Sequence, residues 1–246
     1  MYGITDLMSQ KEKTNIRIMT TAGVRNDGRG CLDARPVNLE VAVMPDCYGS
    51  ARVRIGRTDV LATVRAEFSV PNPPGRRGAG PLDISVDLRG IGGEGRSLLF
   101  RSRKDALEDY SYLTCKILER MYNTYTCRVI RDSRLEIIPG QLHWLLHVDV
   151  SPVESDGNLL DAITLAVRSA LRSTWLPHID VFKNEETGAQ DVRVCDDRSR
   201  YWRLEALCAP LTVTLLRVGT KWVVDPTETE EAGGRAAYYG SPPALP

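Results

Sequence analysis

Gly49-Ser50-Ala51-Arg52-Val53-Arg54-Ile55-Gly56-Arg57-Thr58-Asp59-Val60-Leu61 is the stretch whose reading decides the fold class. Ala51, Val53 and Ile55 alternate with Arg52 and Arg54, the period of a strand with one buried face. Gly56-Arg57-Thr58-Asp59 is a turn sequence, and Val60 to Phe68 resumes a β-rich run, so the stretch predicts a hairpin closed at Gly56. Just upstream, Val37, Leu39, Val41 and Val43 alternate in the same way, and Gly49-Ser50 separates that strand from the hairpin.

Downstream, Val70 to Gly80 (VPNPPGRRGAG) is read as a loop, because repeated Pro and Gly defeat both helix and central strand, and Arg76-Arg77 put positive charge at its tip. Leu82 to Leu88 is a short strand ahead of a second Gly-rich loop, Gly90 to Gly95. Leu107, Tyr110, Leu113, Ile117, Leu118 and Met121 recur at helical spacing, which predicts an amphipathic helix from about Lys104 to Asn123. The second half repeats this order of elements. Strands at Leu135–Ile138 and Leu142–Val150 flank the Pro139-Gly140 turn. Asp156-Gly157-Asn158 then opens a helix with the apolar stripe Leu159, Leu160, Ile163, Leu165, Ala166, Val167 and Leu171. Further strands follow at Ile179–Phe182, Asp191–Val194, Leu211–Val218 and Trp222–Val224. The layout is α+β: residues 25–232 form one domain of two β-rich halves, about 25–134 and 135–232, each with packed helices. Residues 1–24 lack periodicity and read as an arm or a short strand, and 233–246 as a low-complexity, Pro-rich tail.

The 246 residues, 42% of them hydrophobic, suffice for a real core. Thirty-two basic side chains are offset by 32 acidic ones, so overall basicity does not drive nucleic-acid binding, and any basic lining must be local. None of the six cysteines forms a C-x-x-C pair. Without a secretory leader they are expected to be reduced, intracellular core residues, not a disulfide framework or a zinc site. No run approaches the ~18 apolar residues of a membrane span, so a soluble protein with no membrane partner is expected.

The candidate chemistry starts at Glu154-Ser155-Asp156-Gly157-Asn158, between a strand and a helix. Carboxylates there suit a metal or general acid–base work, and a helix N-terminus suits phosphate. The plainer reading is that Asp156 or Asn158 caps the helix, and the residues alone leave both open. His143 and His147 have metal-ligand spacing for a helix but lie in a β run without the following Glu of zinc proteases. His178 follows Pro177 in a turn with no visible partner. Neither Gly-rich loop matches a nucleotide motif. Arginine recurs at positions 25, 29, 35, 52, 54, 57, 65, 76, 77, 101 and 103, which by default describes a solvated face. Arg52 and Arg54 share one side of a strand and Arg76 and Arg77 share a loop tip, which makes these four the candidate RNA contacts.

Several stretches together resemble the RNase PH family: Asp27-Gly28-Arg29-Gly30 with Arg35-Pro36-Val37, the hairpin around Gly56-Arg57-Thr58, and Val148-Asp149-Val150 leading into Asp156-Gly157-Asn158-Leu159-Leu160-Asp161-Ala162. Val223-Val224-Asp225-Pro226-Thr227, with Glu230-Glu231 after it, extends the match. The resemblance is to non-catalytic ring subunits of the eukaryotic RNA exosome. The phrase from Trp202-Arg203-Leu204 to Val218-Gly219 is most similar to one branch of them, with the other non-catalytic members close. It implies an RNase PH-like (ribosomal protein S5 domain 2-like) fold of two ββαβα-like halves. It also implies a six-membered ring with related subunits, S1/KH cap subunits, single-stranded RNA as ligand, and a place in nucleus, nucleolus and cytoplasm.

In active members of the family an Asp helps hold a metal, and a hydroxyl and an Arg at the helix start hold phosphate. Asp156 stands where that Asp belongs, while Leu159 and Leu160 replace the hydroxyl and the Arg. The downstream acidic cluster is represented by Cys195-Asp196-Asp197, with no second carboxylate a few residues on. The resemblance therefore implies a degenerate site without catalysis, metal or cofactor. The alternatives are an active phosphate-dependent 3′-to-5′ exoribonuclease, which needs the replaced donors, and a small-molecule enzyme on the same scaffold. Family members also continue past the Glu230-Glu231 region with another strand and a long helix.

Overall fold

The computed structural model describes residues 8–70, 81–91, 104–122, 133–183, 190–206 and 209–240. The predicted contacts Arg76 and Arg77 lie outside them. The chain runs through α1 (Gln10–Thr21), β1 (Val37–Val41), β2 (Gly49–Ile55), β3 (Thr58–Ser69), β4 (Leu82–Val86), α2 (Lys104–Tyr122), β5 (Glu136–Ile138) and β6 (Leu142–Glu154). It continues through α3 (Leu159–Arg172), β7 (Trp175–Leu176), β8 (Ile179–Lys183), β9 (Gln190–Val194), β10 (Trp202–Arg203), β11 (Thr212–Val218), β12 (Lys221–Val224), α4 (Glu228–Gly233) and β13 (Arg235–Gly240).

The hairpin is as read: β2 and β3 pair antiparallel with Ile55 opposite Thr58, so the turn is Gly56-Arg57. Gly56 has φ +57°, a left-handed conformation that a side chain resists. The main sheet has the order β1-β2-β3-β6-β4, with β5 against β6. One face is apolar: Ala51, Val53, Val60, Ala62, Val64, Ile84, Leu146, Val148 and Val150 are buried there in one cluster with Leu118 and Tyr122 of α2 and Ala162, Ile163, Ala166, Val167 and Ala170 of α3. Burial of each large side chain contributes about 1.5–3 kcal/mol, so this face supplies most of the drive for collapse.

Four expectations change. The boundary between halves is crossed by the chain itself. β6, assigned to the second half, lies between β3 and β4 and pairs with β3 from Asp59–Glu154 to Ser69–His143. Two strands this long bury more together than either would in separate half-sheets, so the main sheet draws on both halves. Residues 1–24 are neither arm nor strand beyond Ser9. Ser9 and Glu12 form a capping box that starts α1, and Ile16 packs on Leu216, Val218 and Val223. The third change is in the tail, where residues 235–240 form β13, antiparallel to β11 in the sheet β12-β11-β13. Such pairing uses backbone groups and needs no hydrophobic alternation, which is why composition hid it. Finally, Leu113 of the predicted α2 stripe is exposed, and Tyr122 takes the buried place at the end of that helix.

Candidate functional site

The site forms where β6 hands over to α3. Gly157 has φ +81° and Asn158 φ 56°, two left-handed residues in succession. A Cβ on Gly157 would lie 2.5 Å from both Glu228 N and Thr227 C, so the backbone entering α4 rests directly on this turn. Glu228 N donates to Asp156 O at 3.2 Å, joining the two segments.

Asn158 occupies the N-cap position but does not cap. Its left-handed backbone differs from the extended one that directs a capping side chain. Nδ2 instead donates to Asp225 Oδ1 at 2.7 Å, and the Asn158 backbone N–H donates to Glu231 Oε1 at 2.8 Å. Nor does Asp156 cap. Its carboxylate lies 3.7 Å from Arg35 Nη1, and burial raises its pKa despite the nearby Arg35 and Arg57. Ser155 Oγ and Asn158 Oδ1 are buried without a protein partner.

Asp225 is the centre of the network. It accepts from the backbone N, Nε and Nη2 of Arg35 at 2.8, 2.9 and 2.8 Å, and from Arg29 Nη1 at 3.0 Å. Burial alone would raise its pKa, but the hydrogen bonds and charge of Arg35, with the Asn158 amide, bring it down to about 2. Arg25 is enclosed beside it, and its pair with Glu230 leaves the two side chains 0% and 2% exposed. Its guanidinium donates to both Glu230 oxygens, at 2.8 and 2.6 Å, and to the carbonyls of Asp33, Val224 and Asp225. A buried charge this well supplied is stable only because its donors all have acceptors.

Glu231 is half-buried at the α3 N-terminus. Burial raises its pKa to about 7, helped by the charges of Glu228 and Asp161 and opposed by the Asn158 N–H and Arg35. Leu159 and Leu160 are buried, and Leu159 belongs to the main core. Asp161 accepts from Thr214 N and Oγ1 at 2.8 and 2.9 Å.

The other candidates lie elsewhere. Arg52 and Arg54 point from the open face of the sheet and converge on Asp59, at 2.6 and 3.1 Å. That face continues with Arg65–Asp149 at 2.6 Å, and with His147 between Glu67 and Asp83 at 2.9 and 3.2 Å. His143 and His147 are thus strand residues, and His178 does have a neighbour, Asp180, at 3.6 Å. Asp197 caps a 3-10 turn through Ser199 N, so Asp196-Asp197 form an exposed turn beside Asp180–Arg200 and not a part of the Asp156 cluster. Among the described residues no group of three or more His, Cys, Asp or Glu is placed to hold a metal ion. Cys31, Cys47, Cys115 and Cys195 are free thiols. Sequence reasoning passed over Arg25, Glu230 and Glu231 as site residues, although the Thr227-x-x-Glu230 capping box that builds α4 was visible.

The model of the 3′ exoribonuclease family, domain 1 (RNase PH), matches residues 33–177, more than half of the chain. The chain belongs to the RNase PH family. The match takes in Arg35 and the Asp156–Leu160 junction, while Arg25, Asp225, Glu230 and Glu231 lie outside it, so the network ties the family's first domain to its flanking segments. The exosome complex component Rrp42 of the archaeon Thermococcus kodakarensis is 31% identical over 228 residues, 92% of this chain and 77% of that protein. Ribosomal RNA-processing protein 42 is the branch to which the Trp202–Gly219 phrase pointed. Two solved structures share the RNase PH fold. An archaeal exosome core chain has a TM-score of 0.68 at 23% identity, covering 96% of this chain and 86% of that one. The Archaeoglobus fulgidus exosome with RNA bound to the active site gives 0.67 at 24% identity, covering 96% and 88%.

Proposed function

We propose that this chain is a non-catalytic ring subunit of an RNA exosome, supporting 3′-to-5′ RNA processing and degradation by assembly and by forming part of an RNA channel. The observation that carries the reading is the apolar start of α3: Leu159 and Leu160, 3% and 5% exposed, stand where catalysis in this family calls for a hydroxyl and an arginine. Apolar side chains donate no hydrogen bond, and a phosphate dianion without donors is costly to hold. Assembly is supported by the relative named as an exosome complex component and by the fold of exosome core chains.

On this reading its partners are other RNase PH-like ring subunits, S1/KH cap subunits and single-stranded RNA, and it works in nucleus, nucleolus and cytoplasm without a cofactor. RNA contact is electrostatic and weakens with salt. Arg76 and Arg77 are the first choices for that contact, since Arg52 and Arg54 are engaged by Asp59. The test is to purify the chain with and without its closest ring partner and assay phosphate-dependent RNA degradation. A stable heterodimer whose activity survives Asp156→Ala is expected. Degradation by the chain alone, abolished by Asp156→Ala, would establish the active exoribonuclease instead.

A further inference from the structure

Helix α3 begins without a side-chain cap: Asn158 has a left-handed backbone, its Nδ2 donates to Asp225, and its Oδ1 accepts no backbone N–H. The first N–H groups of a helix still attract a negative group, by hydrogen bonding and by the positive end of the helix dipole. The Asn158 N–H finds one 73 residues away in Glu231, whose Oε1 accepts at 2.8 Å. Helix α4 carries Glu231 there, and α4 is itself held by the Thr227–Glu230 capping box and by the enclosed Arg25–Glu230 pair. Glu228 and Asp161 face Glu231 with like charge, and Arg35 faces it with opposite charge. A carboxylate kept in acidic company is held there by its covalent tether and its hydrogen bond, more than by the general field.

We propose that Glu231 is an internal anion that closes the start of α3 to external phosphate, an autoinhibitory contact within the chain. The inference rests on the non-catalytic reading and deepens it. Leu159 and Leu160 remove donors, whereas Glu231 fills a remaining donor with a charge of the same sign as the excluded ligand. Phosphate and this carboxylate compete for one N–H and for the field of Arg35.

The experiment compares the wild-type full chain with Glu231→Ala and Glu231→Gln. Inorganic phosphate is titrated by calorimetry, and Asn158 amide exchange is followed by NMR. Glu231→Ala should bind phosphate about tenfold more tightly than wild type, the scale of one charge-assisted hydrogen bond, and its Asn158 amide should exchange faster. Glu231→Gln keeps an acceptor in place but removes the charge, so Asn158 exchange should stay near wild type while phosphate affinity rises part of the way towards that of Glu231→Ala. A folded Glu231→Ala with unchanged phosphate affinity overturns the proposal. Should that variant fail to fold, Glu231→Asp, one methylene shorter, must speed Asn158 exchange, and unchanged exchange overturns the proposal equally. Phosphate-dependent RNA degradation by the wild-type chain would sink the non-catalytic reading separately, because it leaves the exchange result untouched.

Discussion

Arginine–carboxylate pairs occur in this molecule in two settings, and the contrast separates what charge does for the fold from what it offers to a ligand. At the β6–α3 junction, Arg25 and Glu230 are 0% and 2% exposed, and Arg25 also donates to three backbone carbonyls. On the open face of the sheet, Arg65 and Asp149 are 66% and 32% exposed. The two N–O distances are equal, 2.6 Å, so separation alone does not distinguish the settings. Solvent does. An enclosed pair has already given up its water, so the loss of one partner strands the other. An exposed pair exchanges with water and salt at little cost.

Arg25→Ala should break the enclosed side of this contrast most severely, by about 3–5 kcal/mol in urea unfolding, because Glu230 is left buried without its counter-charge. Gly157→Ala should cost about 3 kcal/mol in the same measurement, since it adds a Cβ to a left-handed residue with backbone 2.5 Å away. The acid limb gives a third measure. The Asp225 pKa is lowered to about 2 from 3.8, so the folded state holds the proton less tightly than the unfolded one. That stabilisation is complete above pH 3.8 and lost as pH falls through 2. Wild type should therefore lose about 2 kcal/mol more than Asp225→Asn across this window.

Glu231 has the opposite sign. Its pKa is raised to about 7 from 4.5, so the folded state binds the proton more tightly and stability declines as pH rises through that interval. Glu228 and Asp161 face it with negative charge and Arg35 with positive charge. Glu231→Gln should gain about 1 kcal/mol over wild type at pH 8 and nothing at pH 4, read from thermal melts at both. The smallest effect belongs to the open face. A double-mutant cycle on Arg65 and Asp149 should return about 0.5 kcal/mol and less at high salt. A coupling as large as the cost of Arg25→Ala would abolish the distinction between the two settings.

The hairpin at 49–61 and the helix at 159–172 were legible because their signals are local: alternation around one turn glycine, and an apolar stripe of helical period. The place of β6 was not, since Asp59 pairs with Glu154 across the whole first half and no periodicity within β6 names its neighbour. That Asp156–Leu160 join a strand to a helix could be read from the residues, but the groups that pack around this junction could not. Arg25 stands 205 residues from Glu230, and in sequence it is one arginine among many that read as a solvated face. Asp196-Asp197 entered as the counterpart of the family's downstream acidic cluster, and nothing in the sequence showed that Asp225, Glu230 and Glu231 gather beside Asp156 instead. Helix α1 was missed for another reason: Ile16 is its one buried apolar residue, which leaves a weak stripe, although Ser9-x-x-Glu12 marked its start.

The long reach of the Asp225 network also bears on the order in which the chain matures during synthesis. Every strand of the main sheet, and α3 with it, has been synthesised by residue 172, whereas the Asp225 carboxylate that Arg35 requires comes 190 residues after that arginine. The nascent protein thus passes through a stage in which its core can collapse while Arg25, Arg29 and Arg35 still lack Asp225 and Glu230. Asp225 and Glu230 then supply the buried acceptors, so this junction is completed by a late segment and not by the hydrophobic centre.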